Sequence, residues 1–85
     1  MDLKRKFADS VFKARKELGY TQSAVAEAVS VSTRWYQKIE SGRRLPSTTV
    51  SFRLILFLHI DLEEFREEVG LIVPVSPLPR KTLLR

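Results

Sequence analysis

The chain has no cysteine, which removes disulfide stapling, thiol nucleophiles, iron–sulfur clusters and thiolate metal sites in one step. Its single histidine, His59, cannot assemble a histidine-rich metal site, so no metal and no other cofactor is called for. Without a second histidine, a cysteine or paired carboxylates in a plausible cleft, no catalytic residue presents itself and an enzyme is not expected. Long apolar runs are also missing. The longest, Leu54-Ile55-Leu56-Phe57-Leu58, falls far short of the roughly 18 residues that span a bilayer. The start Met1-Asp2-Leu3-Lys4-Arg5-Lys6 carries positive charge with no apolar stretch behind it, unlike a signal peptide. The expectation is a cytoplasmic protein with no membrane partner and no evident small-molecule ligand. No segment has a convincing strand period, and no repeat is visible.

What is present fits one small folded domain. Eighty-five residues suffice for a single core and not for two. The hydrophobic share of 44% and charged share of 29% are those of a globular chain. The net charge is +5 and the pI near 10.0, which makes a polyanion the first partner to consider. The distribution says more than the total. Residues 1–60 hold eleven basic and five acidic side chains; residues 61–68 hold Asp61, Glu63, Glu64, Glu67 and Glu68 against Arg66 alone; Arg80, Lys81 and Arg85 restore positive charge at the end. An anionic ligand is drawn to the first sixty residues and repelled by the acidic segment.

The periodicity predicts five short helices, an all-α fold. Asp2 can cap a first helix in which Leu3, Phe7, Val11, Ala14 and Leu18 recur on one face, with Gly19 as the stop. Thr21 can cap a second helix carrying Val25, Ala26 and Val29, and Ser32 a third with Tyr36 and Ile39 inward, ending at Ser41-Gly42. Only about three residues separate these two helices, and Ala26 is small enough to let them cross closely. Pro46 keeps Leu45 out of the helical region, so Arg43-Arg44-Leu45-Pro46 is a loop. A fourth helix runs from Ser47 or Thr48 to about Leu58. Asp61 with Glu64 forms a capping box for a fifth, with Leu62, Phe65 and Val69 inward and Gly70 closing it. Pro74, Pro77 and Pro79 exclude a helix beyond. Residues 1–70 are therefore expected to form the domain, and residues 71–85 an extended, proline-rich apolar tail.

Arg15 to Pro46 is the informative stretch. Two helices and a tight turn, with Gln22, Ala26, Val31, Tyr36, Ile39 and Glu40 at these spacings, have the form of a helix-turn-helix. Arg15 and Gln22, then Ala26, then Val31-Ser32, then Ile39-Glu40-Ser41-Gly42-Arg43-Arg44-Leu45-Pro46 resemble the Cro/CI-type (XRE) family of bacterial and phage repressors over roughly residues 5 to 66. The resemblance implies a lambda-repressor-like five-helix domain that binds double-stranded DNA as a transcriptional regulator, a repressor first. It further implies an operator of partly palindromic sequence and a bacterial or phage origin, with the protein on the nucleoid when bound. The third helix is the expected reader of the major groove. On its outward side stand Thr33, Arg34, Gln37 and Lys38; the family's base contacts fall most often at the positions of Thr33, Arg34 and Lys38. Gln22 can meet a phosphate through its backbone and side-chain amides, Ser32 lies near a phosphate or a thymine methyl, and Arg43 and Arg44 suit the flanking backbone. Arg15 and Glu40 match a salt bridge that, in the family, ties the first helix to the end of the third.

Ser30 and His59 stand where the family commonly has Gly, at positions that often need positive φ. Trp35 replaces a small or polar residue, and either lying against a sugar–phosphate strand or covering the protein's own edge suits it. Lys4, Arg5 and Lys6 read as an ordinary charged first turn in preference to the alternative, a DNA-reaching arm. Phe7, Phe12, Phe52, Phe57 and Phe65 read as core. Apolar side chains go round more than half of the fourth helix, more than one buried stripe requires. That surplus, with Leu71-Ile72-Val73-Pro74-Val75 and Leu78, Leu83 and Leu84, suggests a homodimer through the fourth helix, the fifth helix and the tail. The alternative is an antitoxin-like adaptor whose apolar tail docks a second protein.

Overall fold

A computed structural model describes residues 2–70. The described chain forms four α-helices: α1 (Leu3–Leu18), α2 (Gln22–Ala28), α3 (Thr33–Glu40) and α4 (Thr48–Leu58). A single 3₁₀ turn, Leu62–Phe65, follows them. There is no strand among the described residues, and residues 71–85, with the apolar tail expected from the sequence, lie outside them.

Each helix begins on a side-chain oxygen that accepts from a backbone N–H of the first turn: Asp2 from Arg5, Thr21 from Ala24, Ser32 from Trp35 and Ser47 from Val50. These caps satisfy donors that the helix itself leaves orphaned. α1 ends on Gly19 in the left-handed conformation, φ 78°. Ser30 and His59 adopt it too, at φ 64° and 58°. Both are non-glycine residues in a region where a Cβ is crowded, so the turn after α2 and the end of α4 hold their shape at some steric cost.

α1 packs across α3, α4 and the 3₁₀ turn, while α2 and α3 pack on each other. The core joins Phe7 and Val11 of α1 to Val25, Ala26 and Val29, then to Tyr36 and Ile39, and to Leu54, Leu58, Ile60 and Phe65. Ala26 is almost wholly buried, and its carbonyl accepts from the Val31 N–H at 3.0 Å, closing the turn between α2 and α3. Arg53 of α4 reaches the Val29 carbonyl at 3.3 Å and helps to hold the end of α2.

Several expectations are corrected. The fifth helix is only the 3₁₀ turn: Asp61 caps Glu63 at 3.0 Å, and Glu64 and Arg66 close i→i+3 bonds on Asp61 and Glu63. The expected capping box does not form, because the Glu64 carboxylate accepts from the Ser10 hydroxyl of α1 instead. A longer α-helix there would stack Glu63 over Glu67 and Glu64 over Glu68, like charges at i,i+4. Phe65 alone of the three inward residues is buried; Leu62 and Val69 are exposed. Phe12 and Phe52 are not core either, at 47% and 56% exposure, and Leu18 lies at the surface. Phe57 is half-buried and stacks on Tyr20 with centroids 4.9 Å apart.

Candidate nucleic-acid interface

α3 divides cleanly into two faces. Tyr36 and Ile39 are buried against α1 and α2, which fixes the opposite side outward. There Thr33, Arg34 and Gln37 are exposed and Lys38 is half-buried. Arg34, Gln37, Lys38, Ser41 and Arg43 line one shallow polar concavity of about 290 Å³. The side chains picked from the sequence as base-facing and one of those picked as phosphate-facing thus share a surface, with Thr33 on the turn before it.

The phosphate candidates are less alike. Ser32 accepts from Trp35 N–H at 3.0 Å as the cap of α3, which leaves its hydroxyl hydrogen free to donate. Arg43 and Arg44 are exposed, and their own backbone N–H groups close the end of α3 on the Lys38 carbonyl at 3.0 and 3.3 Å. Gln22 is turned inward: its Nε2 donates to Glu40 Oε1 at 2.8 Å, and its Oε1 accepts from Gln37 Nε2 at 3.1 Å. One N–H of Gln22 is left for an outside acceptor.

Beneath this surface lies the network that holds α3. Arg15 of α1 donates to Glu40 from Nε at 2.7 Å and from a terminal nitrogen at 3.0 Å, and its other terminal nitrogen donates to the Tyr20 carbonyl at 2.9 Å. The Tyr36 hydroxyl also donates to Glu40. The Arg15 and Glu40 side chains are 10% and 6% exposed. Burial pulls the Glu40 pKa upward, but hydrogen bonds from Arg15, Tyr36 and Gln22, with the Arg15 charge, outweigh it and hold the carboxyl below its ordinary value. The Arg15 guanidinium is correspondingly held more firmly protonated by its bond to Glu40. Burial, then the bond to Glu40, pushes the Tyr36 phenol up. One ionised carboxylate therefore gathers α1, the start of α2 and the second half of α3, from Tyr36 to Glu40.

Two residues whose roles the sequence left open, Trp35 and Arg5, also contribute to this surface. The Trp35 ring is partly packed against the core, and the Lys38 ammonium and Arg44 guanidinium lie 5.8 and 5.9 Å from its centroid. It covers the protein's own edge and at the same time gathers two cations beside the concavity. Arg5 belongs to the charged first turn, but its guanidinium lies across Gly42. A Cβ at Gly42 would come within 2.9 Å of it, and Gly42 itself has φ +82°. Arg5 is thereby brought to the Arg43–Arg44 loop, a contact that no spacing in the sequence announces.

A short helix, a tight left-handed turn and a second helix with a basic outer face, braced by a third, define a helix-turn-helix module. The chain belongs to the XRE-type helix-turn-helix family of DNA-binding regulators, whose family model matches residues 11–65. It is similar to YqaF of Bacillus subtilis (strain 168), an uncharacterized HTH-type transcriptional regulator, at 40% identity over 57 residues, 67% of this chain and 75% of that protein. It is also similar to the ImmF control region 10 kDa protein of Bacillus phage phi105, at 38% identity over 48 residues, 56% of this chain and 53% of that protein. No solved structure matches the chain. Among the described residues no helix is long and apolar enough to cross a membrane.

Proposed function

We propose that the protein binds double-stranded DNA sequence-specifically as a transcriptional repressor, with α3 in the major groove of a partly palindromic operator. The observation that carries this reading is the single concavity shared by Arg34, Gln37, Lys38, Ser41 and Arg43 on the face of α3 opposite buried Tyr36 and Ile39. Thr33, Arg34, Gln37 and Lys38 meet base edges. Arg34 grips a guanine through O6 and N7, a pairing worth about 1–3 kcal/mol of discrimination. Ser32, Arg43, Arg44 and the free N–H of Gln22 hold phosphates and set the register. Arg15 and Glu40 act as scaffold, fixing the angle of the reading helix.

Residues 1–70 constitute the DNA-binding domain and residues 71–85 a tail for association. Two copies join through α4, the segment 61–70 and the tail, which places two reading helices about one DNA turn apart. The support is apolar surface: Phe52 and Leu56 of α4, 56% and 75% exposed, with Leu62 and Val69 exposed beyond them. Sedimentation that shows only monomer at high concentration, with operator binding intact after removal of residues 71–85, would rule out this dimer. Stable capture of a different protein by that same surface would favour an antitoxin-like adaptor instead.

Selection of bound fragments from a random DNA pool tests the main reading. Arg34→Ala relaxes preference at one base position, whereas Arg43→Ala weakens all sequences alike and lowers the salt slope by roughly 0.9. If both variants bind operator and random DNA as the parent does, α3 is not the reader.

A further inference from the structure

The carboxylate of Glu40 controls more than the angle of α3. An ionised carboxylate only accepts hydrogen bonds, so Gln22, 2.8 Å from Glu40 Oε1, must turn its Nε2 toward it. Its own Oε1 is then presented to Gln37. A carbonyl oxygen likewise only accepts, so Gln37, 3.1 Å away, must present Nε2 in turn. A reversed Gln37 amide would set oxygen against oxygen. The charge on a buried residue thereby fixes the polarity of two successive amides, the second of them exposed and lining the concavity with Arg34.

What Gln37 has left after this bond is one N–H and an Oε1 with both lone pairs. We propose that Gln37 reads an adenine, its Oε1 accepting from N6 and its free N–H donating to N7, with Gln22 as the positioning residue that orients the amide. The inference rests on the major-groove placement of α3 and adds which base is read there and how the reader is held. Guanine offers two acceptors at that edge, cytosine a donor, and thymine an acceptor with a methyl; only adenine pairs an acceptor with a donor. An unrestrained glutamine flips freely and pays rotamer freedom on binding. Here the relay from Glu40 has already removed the wrong orientation.

Full-length protein and its Gln37→Ala, Gln37→Glu and Gln22→Met variants are used to select from a random pool, then titrated at fixed salt against operators carrying each base pair at each position. The parent prefers adenine at one position on the order of tenfold. Gln37→Ala loses that preference alone, and Gln37→Glu moves it to cytosine, whose N4 donates. Gln22→Met loses a phosphate contact, which lowers affinity for all sequences equally; orientation is read in the ratio between bases. That ratio falls several-fold at the Gln37 position and stays unchanged at the Arg34 position. A base other than adenine lost in Gln37→Ala, or no base lost, overturns the adenine assignment. An unaltered adenine ratio in folded Gln22→Met overturns the positioning role. No base preference anywhere in the parent overturns the placement of α3 as well, and is distinguishable because the Arg34-dependent guanine preference then vanishes too.

Discussion

Replacing Glu40 by glutamine changes one atom and leaves the shape of the side chain intact, which isolates what its charge does. Four donors converge on the carboxylate: two from Arg15 at 2.7 and 3.0 Å, one from Gln22 at 2.8 Å and one from the Tyr36 hydroxyl. Each oxygen receives two of them, so an amide nitrogen at either place faces at least one donor it cannot satisfy. Tyr36 can rotate its hydroxyl to accept, and Gln22 can flip, but the Arg15 guanidinium has no acceptor to offer. The buried cation is left half-paired. Removing one partner of a buried pair costs about 3–5 kcal/mol, and the hydrogen bonds an isostere keeps bring the expected loss to about 3 kcal/mol. A domain of this size holds only about 4–10 kcal/mol in total. The midpoint of thermal unfolding, followed by far-ultraviolet circular dichroism at pH 7, should therefore drop by roughly 12–24 °C. The pH dependence supplies a second check. A carboxyl whose pKa is lowered on folding stabilises the fold above its unfolded value of 4.5 and loses that contribution as pH falls through the lower folded value. The gap between parent and Glu40→Gln should persist down to about pH 4.5 and close only below it. A variant that melts within a few degrees of the parent at pH 7, or a gap that closes above pH 5, would refute the argument.

Other substitutions probe separate links. At Ser30, φ 64°, glycine should raise the unfolding midpoint slightly and valine should lower stability by about 1–2 kcal/mol, since a β-branched side chain fits that region worst. Chemical denaturation of the pair reads both signs. Leu54→Ala, at a fully buried position, should cost about 2–5 kcal/mol in the same assay. Leu56→Asp, on the same helix but 75% exposed, should leave monomer stability within about 0.5 kcal/mol. It should weaken self-association in sedimentation and raise the protein concentration needed to fill an operator; unchanged association would remove α4 from the proposed interface.

The sequence by itself carried the local structure. Three N-caps, at Asp2, Thr21 and Ser32, were legible because capping depends on one side chain and the three residues after it; the fourth was narrowed to Ser47 or Thr48, and the structure selects Ser47. Inward Tyr36 and Ile39 and the outward face of α3 followed from a period of 3.6, which also brought Arg34, Gln37 and Lys38 to one side. The tertiary structure decided what depends on distant neighbours. Phe12 and Phe52 have the chemistry of core residues yet face outward, because no element packs against their sides of α1 and α4 among the described residues. Glu64 bonds Ser10 and does not cap its own turn, and like charges keep that turn short. Gln22 reads as a phosphate ligand when only its own helix is considered. Packing α2 against α3 places it between Glu40 and Gln37, where the direction of each hydrogen bond follows from a charge eighteen residues away. Periodicity tells which side of a helix is free; only the assembled bundle tells which polar atoms on that side are already taken.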